Sequence, residues 1–296
     1  MADYKVYEVD NQDHGLHVTF YQLGKGIMDE YGIEGEAALR RAIYKYAYTR
    51  GQHVRGLHKA LGMKINLKNH YNFNTNPYHD SSVNEDIGRV TEQEDCRTVD
   101  VCPFAQFFKD RGALKLGEIY CEEAHPPLWQ GYNPATMVNL GRILTREGDS
   151  YCDFRVFLRP ARMTAEQRKE SFEEYDPDFK GDRREEYVYM TSKQGATSKV
   201  SIMVNEFYQE YLRSFGEEIK PKFERMLELM AEDLTGMLRE CAKKHNETFD
   251  KEFWSRNCCF GSSPEEDGYW DQFATPEVTE MARVHFYDKL NQVKFD

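Results

Sequence analysis

Within GEIYCEEAHPPLWQGYNP, residues 117–134, a thiol, two carboxylates and an imidazole (Cys121, Glu122, Glu123 and His125) fall in five consecutive positions. A thiolate is a nucleophile, an imidazole moves protons near neutral pH, and a carboxylate orients that imidazole or activates water. The set therefore has the parts for covalent or water-activated hydrolysis. Two more cysteines flank it. Cys102 precedes Pro103 and an apolar run; at a helix start its sulfur would meet the positive end of the dipole and unpaired backbone N–H groups, both of which favour the thiolate. Cys152 follows a Gly148-Asp149 turn. Three cysteines and His125 are also suitable zinc ligands by type, but the positions 102, 121, 125 and 152 match no familiar zinc spacing, so neither a metal nor another cofactor is expected.

The chain that must position these groups has 296 residues, 40% of them hydrophobic, enough for a large core. With 51 acidic against 39 basic residues the net charge is -12, which argues against nucleic acid as a partner, because phosphate binding rests on clustered Lys and Arg. No apolar run reaches the roughly 18 residues that span a bilayer, and the start MADYKVYEVD has neither a basic nor an apolar leader segment. A cytoplasmic protein without membrane contact is expected. The cysteine count, seven, is odd and irregularly spaced, which disfavours a disulfide framework.

An α+β fold is expected, with N-terminal helices packed on a small antiparallel sheet and a helical C-terminal extension. His17 to Tyr31 reads as a helix ending at Gly32, and residues 35–61 as an amphipathic helix with its stripe at Leu39, Ile43, Ala47, Val54, Leu57 and Leu61. Arg50-Gly51 and Arg55-Gly56 interrupt it, and glycines inside a helix suggest close packing or a ligand near the backbone. Residues 66–99 are polar and read as a long loop with one short strand. A helix starts at Cys102-Pro103 and stops at Gly112; a strand over 115–121 then leads into a loop that carries Glu122, Glu123 and His125. Met137–Thr145 and Tyr151–Arg159 form a hairpin, with Cys152, Phe154, Val156 and Leu158 on one face. Residues 160–186 are dominated by charge, as solvated linkers are. Residues 203–246 are helical with a break near Pro221, and Phe223, Met226, Met230, Leu234, Met237 and Cys241 form a stripe suited to a core or a partner-helix seam. The vicinal Cys258-Cys259 lacks the spacing of a metal site, and a last helix covers 275–290.

Taken in order, YGIEGEAALRRAIYKYAYTRGQHVRG, CPFAQFFKDRGALKLGEIYC, GYNP and GDSYCDFR resemble the L-2-amino-thiazoline-4-carboxylic acid hydrolase family over roughly residues 15–160. The resemblance implies a bacterial enzyme that opens a small thiazoline-, amidine- or amide-like ring at a C–N bond. On that reading residues 1–160 form the hydrolase-like core, 161–200 a charged linker or surface segment, and 201–296 a helical extension able to support a homo-oligomer. The expected catalytic residues are Cys121, Glu123, His125 and Cys102. Arg50, Arg55 and Arg155 are candidates to hold a substrate carboxylate, Asn133 to hydrogen-bond a ring heteroatom, and Cys152 to line the pocket. The alternative is a non-catalytic small-molecule-binding or sensor protein that uses the same pocket.

Overall fold

The computed structural model describes residues 5–73, 84–173 and 191–296. They form two compact units, residues 1–43 with 191–296 and residues 44–190. The first 43 residues thus cluster with the C-terminal helices and not with the rest of the expected 1–160 core. The fold is α+β, as the patterning predicts, with one four-stranded antiparallel sheet. Among the described residues no helix is long and apolar enough to cross a membrane.

Helix α1 (Val6–Ala60) contributes to both units and breaks at Gly32, where φ is 54° and ψ is -124°. Only glycine adopts that backbone at little cost, so the residue that ends the first helical pattern also sets the bend. In the unit built from the chain ends, α1 packs with α6 (Ser192–Phe215) and α7 (Lys220–Lys244). Phe20 meets Phe207 edge-on at 6.3 Å, and the Met226 side chain crowds the bare backbone of Gly26. The stripe Phe223, Met226, Met230 and Leu234 is buried in this unit's own core, whereas Met237 and Cys241 are half-buried. The helical break falls at Gly216, five residues before Pro221, which opens α7 instead.

The second unit carries every candidate site residue. After α1 come α2 (Leu67–Asn72), β1 (Asn84–Val90), β2 (Glu94–Val101), α3 (Pro103–Asp110), α4 (Leu114–Tyr132), β3 (Thr136–Leu140), β4 (Cys152–Leu158) and α5 (Ala165–Phe172). The sheet order is β1-β2-β4-β3. Two expectations are corrected. Residues 66–73 and 84–99 hold a helix and two strands where a loop with one strand was expected, and residues 74–83 of that stretch lie outside the described residues. The expected strand 115–121 and its loop are one 19-residue helix, α4. Pro126 and Pro127 lie inside it and cannot donate the N–H groups that would close onto the carbonyls of Glu122 and Glu123, a cost of about 3 kcal/mol each. Burial outweighs that cost: Leu116, Ile119, Tyr120, Ala124, Trp129 and Tyr132 are all buried at helical spacing.

The two Arg-Gly pairs of α1 separate in meaning. A Cβ on Gly51 would overlap the Leu128 carbonyl oxygen and lie 2.8 Å from Tyr132 N; one on Gly131 would overlap the Tyr48 carbonyl oxygen. Here α1 and α4 cross backbone to backbone. Gly56 has nothing within 4 Å of the same position. Gly51→Ala or Gly131→Ala is therefore expected to destabilise the protein by about 1–3 kcal/mol through overpacking, whereas Gly56→Ala should stabilise it by about 0.5–1 kcal/mol. Urea midpoints of the three variants check this, and equal midpoints would contradict the crossing.

Candidate active site

The sheet's inner face and α4 form the site. On β4 the buried positions alternate as expected, Cys152, Phe154, Val156 and Leu158; on β2 they are Asp95, Arg97 and Val99. The register sets Arg97 beside Phe154 and Val99 beside Cys152. Over this face α4 presents Cys121 and His125, one turn apart and about 40° around the axis. A turn rises about 6 Å and two strand residues advance about 6.7 Å, so the spacings nearly match. The Cys121 thiol is close enough to feel Cys152, and the His125 ring stands edge-on to Phe154 at 5.0 Å. Trp129 follows, 5.8 Å from Phe154, 5.9 Å from His125 and 5.8 Å from His70 of α2.

Helical geometry also decides what is not brought together. At about 100° per residue, Glu123 points about 160° away from both Cys121 and His125. The convergence expected of a loop does not occur. Glu122 faces another way and is held by Arg146 at 2.9 Å, which also takes Glu118 at 3.1 Å.

The three thiols of Cys102, Cys121 and Cys152 are neighbours whose charges would repel one another. Burial raises all three. Cys121 is 7% exposed and is pushed far up, although Thr145 works against this. Burial pushes Cys152 up to about 11, and Leu144 N–H donates to its sulfur at 3.3 Å. Cys102 caps α3 as expected; burial raises its thiol too, while the N–H groups of Ala105 and Phe104 at the helix start oppose the shift. Cys102 and His125 are half-buried, whereas Cys121 and Cys152 are buried.

The imidazoles of His125 and His53 are held neutral. Burial, helped by the charges of Arg50 and Arg97, lowers His125 to about 3. Burial and Arg50 lower His53 to about 4. The polar stretch 66–99 reads as a loop in the sequence, but within it the alternation Asp95-x-Arg97-x-Val99 puts Arg97 on the inner face of β2. Its Nε bonds Asp95 Oδ1 at 2.6 Å and its Nη2 bonds Oδ2 at 3.2 Å, a two-pronged grip between buried partners. The guanidinium lies over the rings of Tyr71, at 4.8 Å, and Phe154, at 5.5 Å.

Arg50 lies in this group. Arg55 donates instead to the Tyr132 carbonyl at 2.9 Å and pairs with Glu170, tying α1 to the end of α4 and to α5. Asn133 caps α4 and is engaged by Ile65 O at 2.8 Å, Ser171 Oγ at 2.9 Å and Ala135 N at 3.1 Å. Arg155 alternates onto the other face of β4 and pairs with Asp153 at 2.7 Å. Among the described residues no group of three or more His, Cys, Asp or Glu side chains is arranged to hold a metal ion.

Residues 14–156 match the family model described as L-2-amino-thiazoline-4-carboxylic acid hydrolase. The resemblance expected over 15–160 is thus found, and the match includes all nine candidate residues from Arg50 to Arg155. The family name indicates a hydrolase of a thiazoline carboxylic acid. No curated protein and no solved structure matches the chain.

Proposed function

Proceeding from the hydrolase family that residues 14–156 match, we propose that this protein opens a C–N bond in a small cyclic thiazoline-, amidine- or amide-like compound, with Cys102 as nucleophile. The observation that carries the reading is the Cys102 sulfur itself: half-buried and set at the amino end of α3. Cys121 and Cys152 are more deeply buried beside it.

The sulfur attacks the ring carbon of the C=N or C=O group, forming a C–S bond as the π electrons move to the heteroatom. The tetrahedral adduct collapses, the ring C–N bond breaks, and the ring nitrogen leaves with the proton that the thiol gave up. Water then attacks the thioester-like carbon and releases Cys102 as a thiol. His125 carries the proton between sulfur and nitrogen. An imidazole held near 3 is a weak base and, once protonated, a strong acid, so it passes a proton on and does not retain it. The amino end of α3 supports negative charge on the sulfur.

Two expectations follow for the rate. Because His125 and His53 stay neutral down to about pH 4, kcat/KM should show no ionisation between pH 5 and 8 of the kind an ordinary histidine gives. Because burial raises the Cys102 thiol, the rate should keep rising towards pH 9. A pH–rate profile with a limb near 6.5 would remove His125 from the scheme.

The reading is tested by incubating the purified protein with 2-amino-thiazoline-4-carboxylate and a panel of cyclic amides and amidines, following products that gain one water by mass spectrometry. Ring opening by the wild-type protein supports it. If every ring in the panel binds and none opens, the binding or sensor alternative takes its place.

A further inference from the structure

An imidazole that moves protons turns about two side-chain bonds, and sites that use one normally fix it by a hydrogen bond from its second nitrogen to a carboxylate or carbonyl. His125 has no such tether: among the described residues no group hydrogen-bonds either of its ring nitrogens. Ring contacts hold it instead. Phe154 meets the imidazole edge-on, with centroids 5.0 Å apart and planes at 86°, and Trp129 lies 5.9 Å from His125 and 5.8 Å from Phe154, closing a triangle of rings. A contact of this kind is directional and shifts a rotamer population by roughly two- to tenfold. Phe154 is held in its turn. Its partner in the strand register is Arg97, whose guanidinium lies over the Phe154 ring at 5.5 Å from its centroid and over the Tyr71 ring at 4.8 Å. Asp95, fully buried, binds that guanidinium with both oxygens, at 2.6 and 3.2 Å. Asp95 and Arg97 are alternate inward positions of β2 and Phe154 is an inward position of β4, so the pleat itself lines the three up.

We propose that Asp95, Arg97 and Phe154 form a positioning stack for His125: the carboxylate fixes the plane of the guanidinium, the guanidinium fixes the Phe154 ring, and that ring holds the imidazole in one rotamer. The inference rests on the hydrolase reading, in which His125 carries the proton from sulfur to the leaving nitrogen, and adds the residues that aim it. Holding the imidazole by rings has a chemical consequence. A hydrogen-bonded tether would occupy one nitrogen, whereas here both remain for the reaction, so His125 can accept the thiol proton at one nitrogen and deliver its own from the other. Passing a proton across the ring in this way needs no lasting imidazolium, which suits an imidazole held near 3.

A mutant cycle tests the stack, with turnover of 2-amino-thiazoline-4-carboxylate measured per folded molecule. Phe154→Leu keeps an apolar side chain and removes the ring; kcat should fall about tenfold while KM changes less than about twofold. Asp95→Asn combined with Arg97→Gln removes the ion pair without leaving a lone charge, and should lower kcat about threefold. Because Arg97 acts through Phe154, adding that pair of substitutions to Phe154→Leu should cost nothing further. Ile65→Val, which removes one methylene from the core beside Val54 and Tyr132, controls for lost packing and should leave kcat as it is. Multiplying losses in the combined variant, a rise in KM in place of a fall in kcat, or a Phe154→Leu rate equal to that of Ile65→Val overturns the stack. A second readout needs no turnover. In the free protein the His125 ring-proton resonance should be displaced by the currents of Phe154 and Trp129, and should move towards that of a mobile imidazole in the Asp95→Asn, Arg97→Gln protein, which has lost no aromatic ring. Ring opening with an unmoved resonance refutes the stack alone, and a moved resonance in a protein that opens no ring refutes the hydrolase reading alone.

Discussion

Replacing Cys102 by serine is expected to lower kcat about a thousandfold or more, equivalent to roughly 4 kcal/mol of transition-state stabilisation, while the protein stays folded. The change is one atom, sulfur to oxygen, at a half-buried helix cap where serine is among the preferred residues, so the thermal midpoint should move little. Attack is another matter, because a hydroxyl ionises far less readily than a thiol. Cys121→Ser supplies the contrast. That sulfur is buried on α4, so substitution should cost stability and leave the rate per folded molecule within a few-fold of wild type. Turnover with a substrate that the wild-type protein opens, corrected for folded fraction by circular dichroism, measures both. If Cys102→Ser keeps its rate and Glu123→Gln loses it, catalysis is by activated water and the covalent scheme is wrong. Mass spectrometry of an acid-quenched reaction gives independent support: an adduct should be found on Cys102 and on neither of its two neighbours.

Acid should unfold the second unit well above the pH at which carboxylates titrate. His58 is completely buried, with Nε2 2.7 Å from the Phe73 carbonyl and Nδ1 2.8 Å from the Tyr132 hydroxyl. A carbonyl only accepts, so Nε2 donates to it; with burial holding the imidazole neutral, Nδ1 accepts from the Tyr132 hydroxyl. Burial lowers His58 to about 4, despite the bond to Phe73. The unfolded chain binds a proton below 6.5 and the folded one does not, so stability is complete above 6.5 and falls as pH drops towards 4. A lowering from 6.5 to about 4 corresponds to about 3 kcal/mol for His58 alone. His53 acts with the same sign over the same window. In the other unit Asp267 acts with the opposite sign. Burial raises it to about 6, so its contribution weakens as pH rises from its ordinary 3.8 to about 6. The expected result is a urea midpoint that is steady from pH 8 to 7 and drops steeply from 6.5 to 4.5 for the transition reported by Tyr132 and its neighbours. His58→Gln should flatten that slope by about one proton. A midpoint unchanged between pH 7 and 5 would show that His58 protonates freely in the folded state.

What the sequence disclosed and what it concealed have separate physical causes. The bend at Gly32, the helix start at Cys102-Pro103 and the inward face of β4 rest on local rules, the freedom of glycine, the fixed φ of proline and the period of two, and all three hold. Helix α4 was concealed because Pro126-Pro127 is a strong local argument against a helix, and the burial that overrides it comes from residues far away in sequence. The helical spacing of Leu116, Ile119, Tyr120 and Ala124 was present all along. In a loop Glu123 could meet His125, whereas in helix α4 the two point apart. Arg97 was concealed because its stretch is polar, and an ion pair on an inward sheet face offers no apolar run to detect. Arg55 and Asn133 had the right chemical type for substrate, but they close the end of α4, a role that emerges only once that end exists.

The crossing at Gly51 and Gly131 bears on how such a site can change over evolutionary time. Because the two helices meet through main-chain atoms there, their separation at that point does not depend on which side chains line the candidate site. Wall positions such as Cys121, Trp129 or His53 can be exchanged to suit a new ring without drawing the helices apart or together. Descendants with altered substrate ranges are therefore expected to vary along the walls and to keep hydrogen as the side chain at both crossing points.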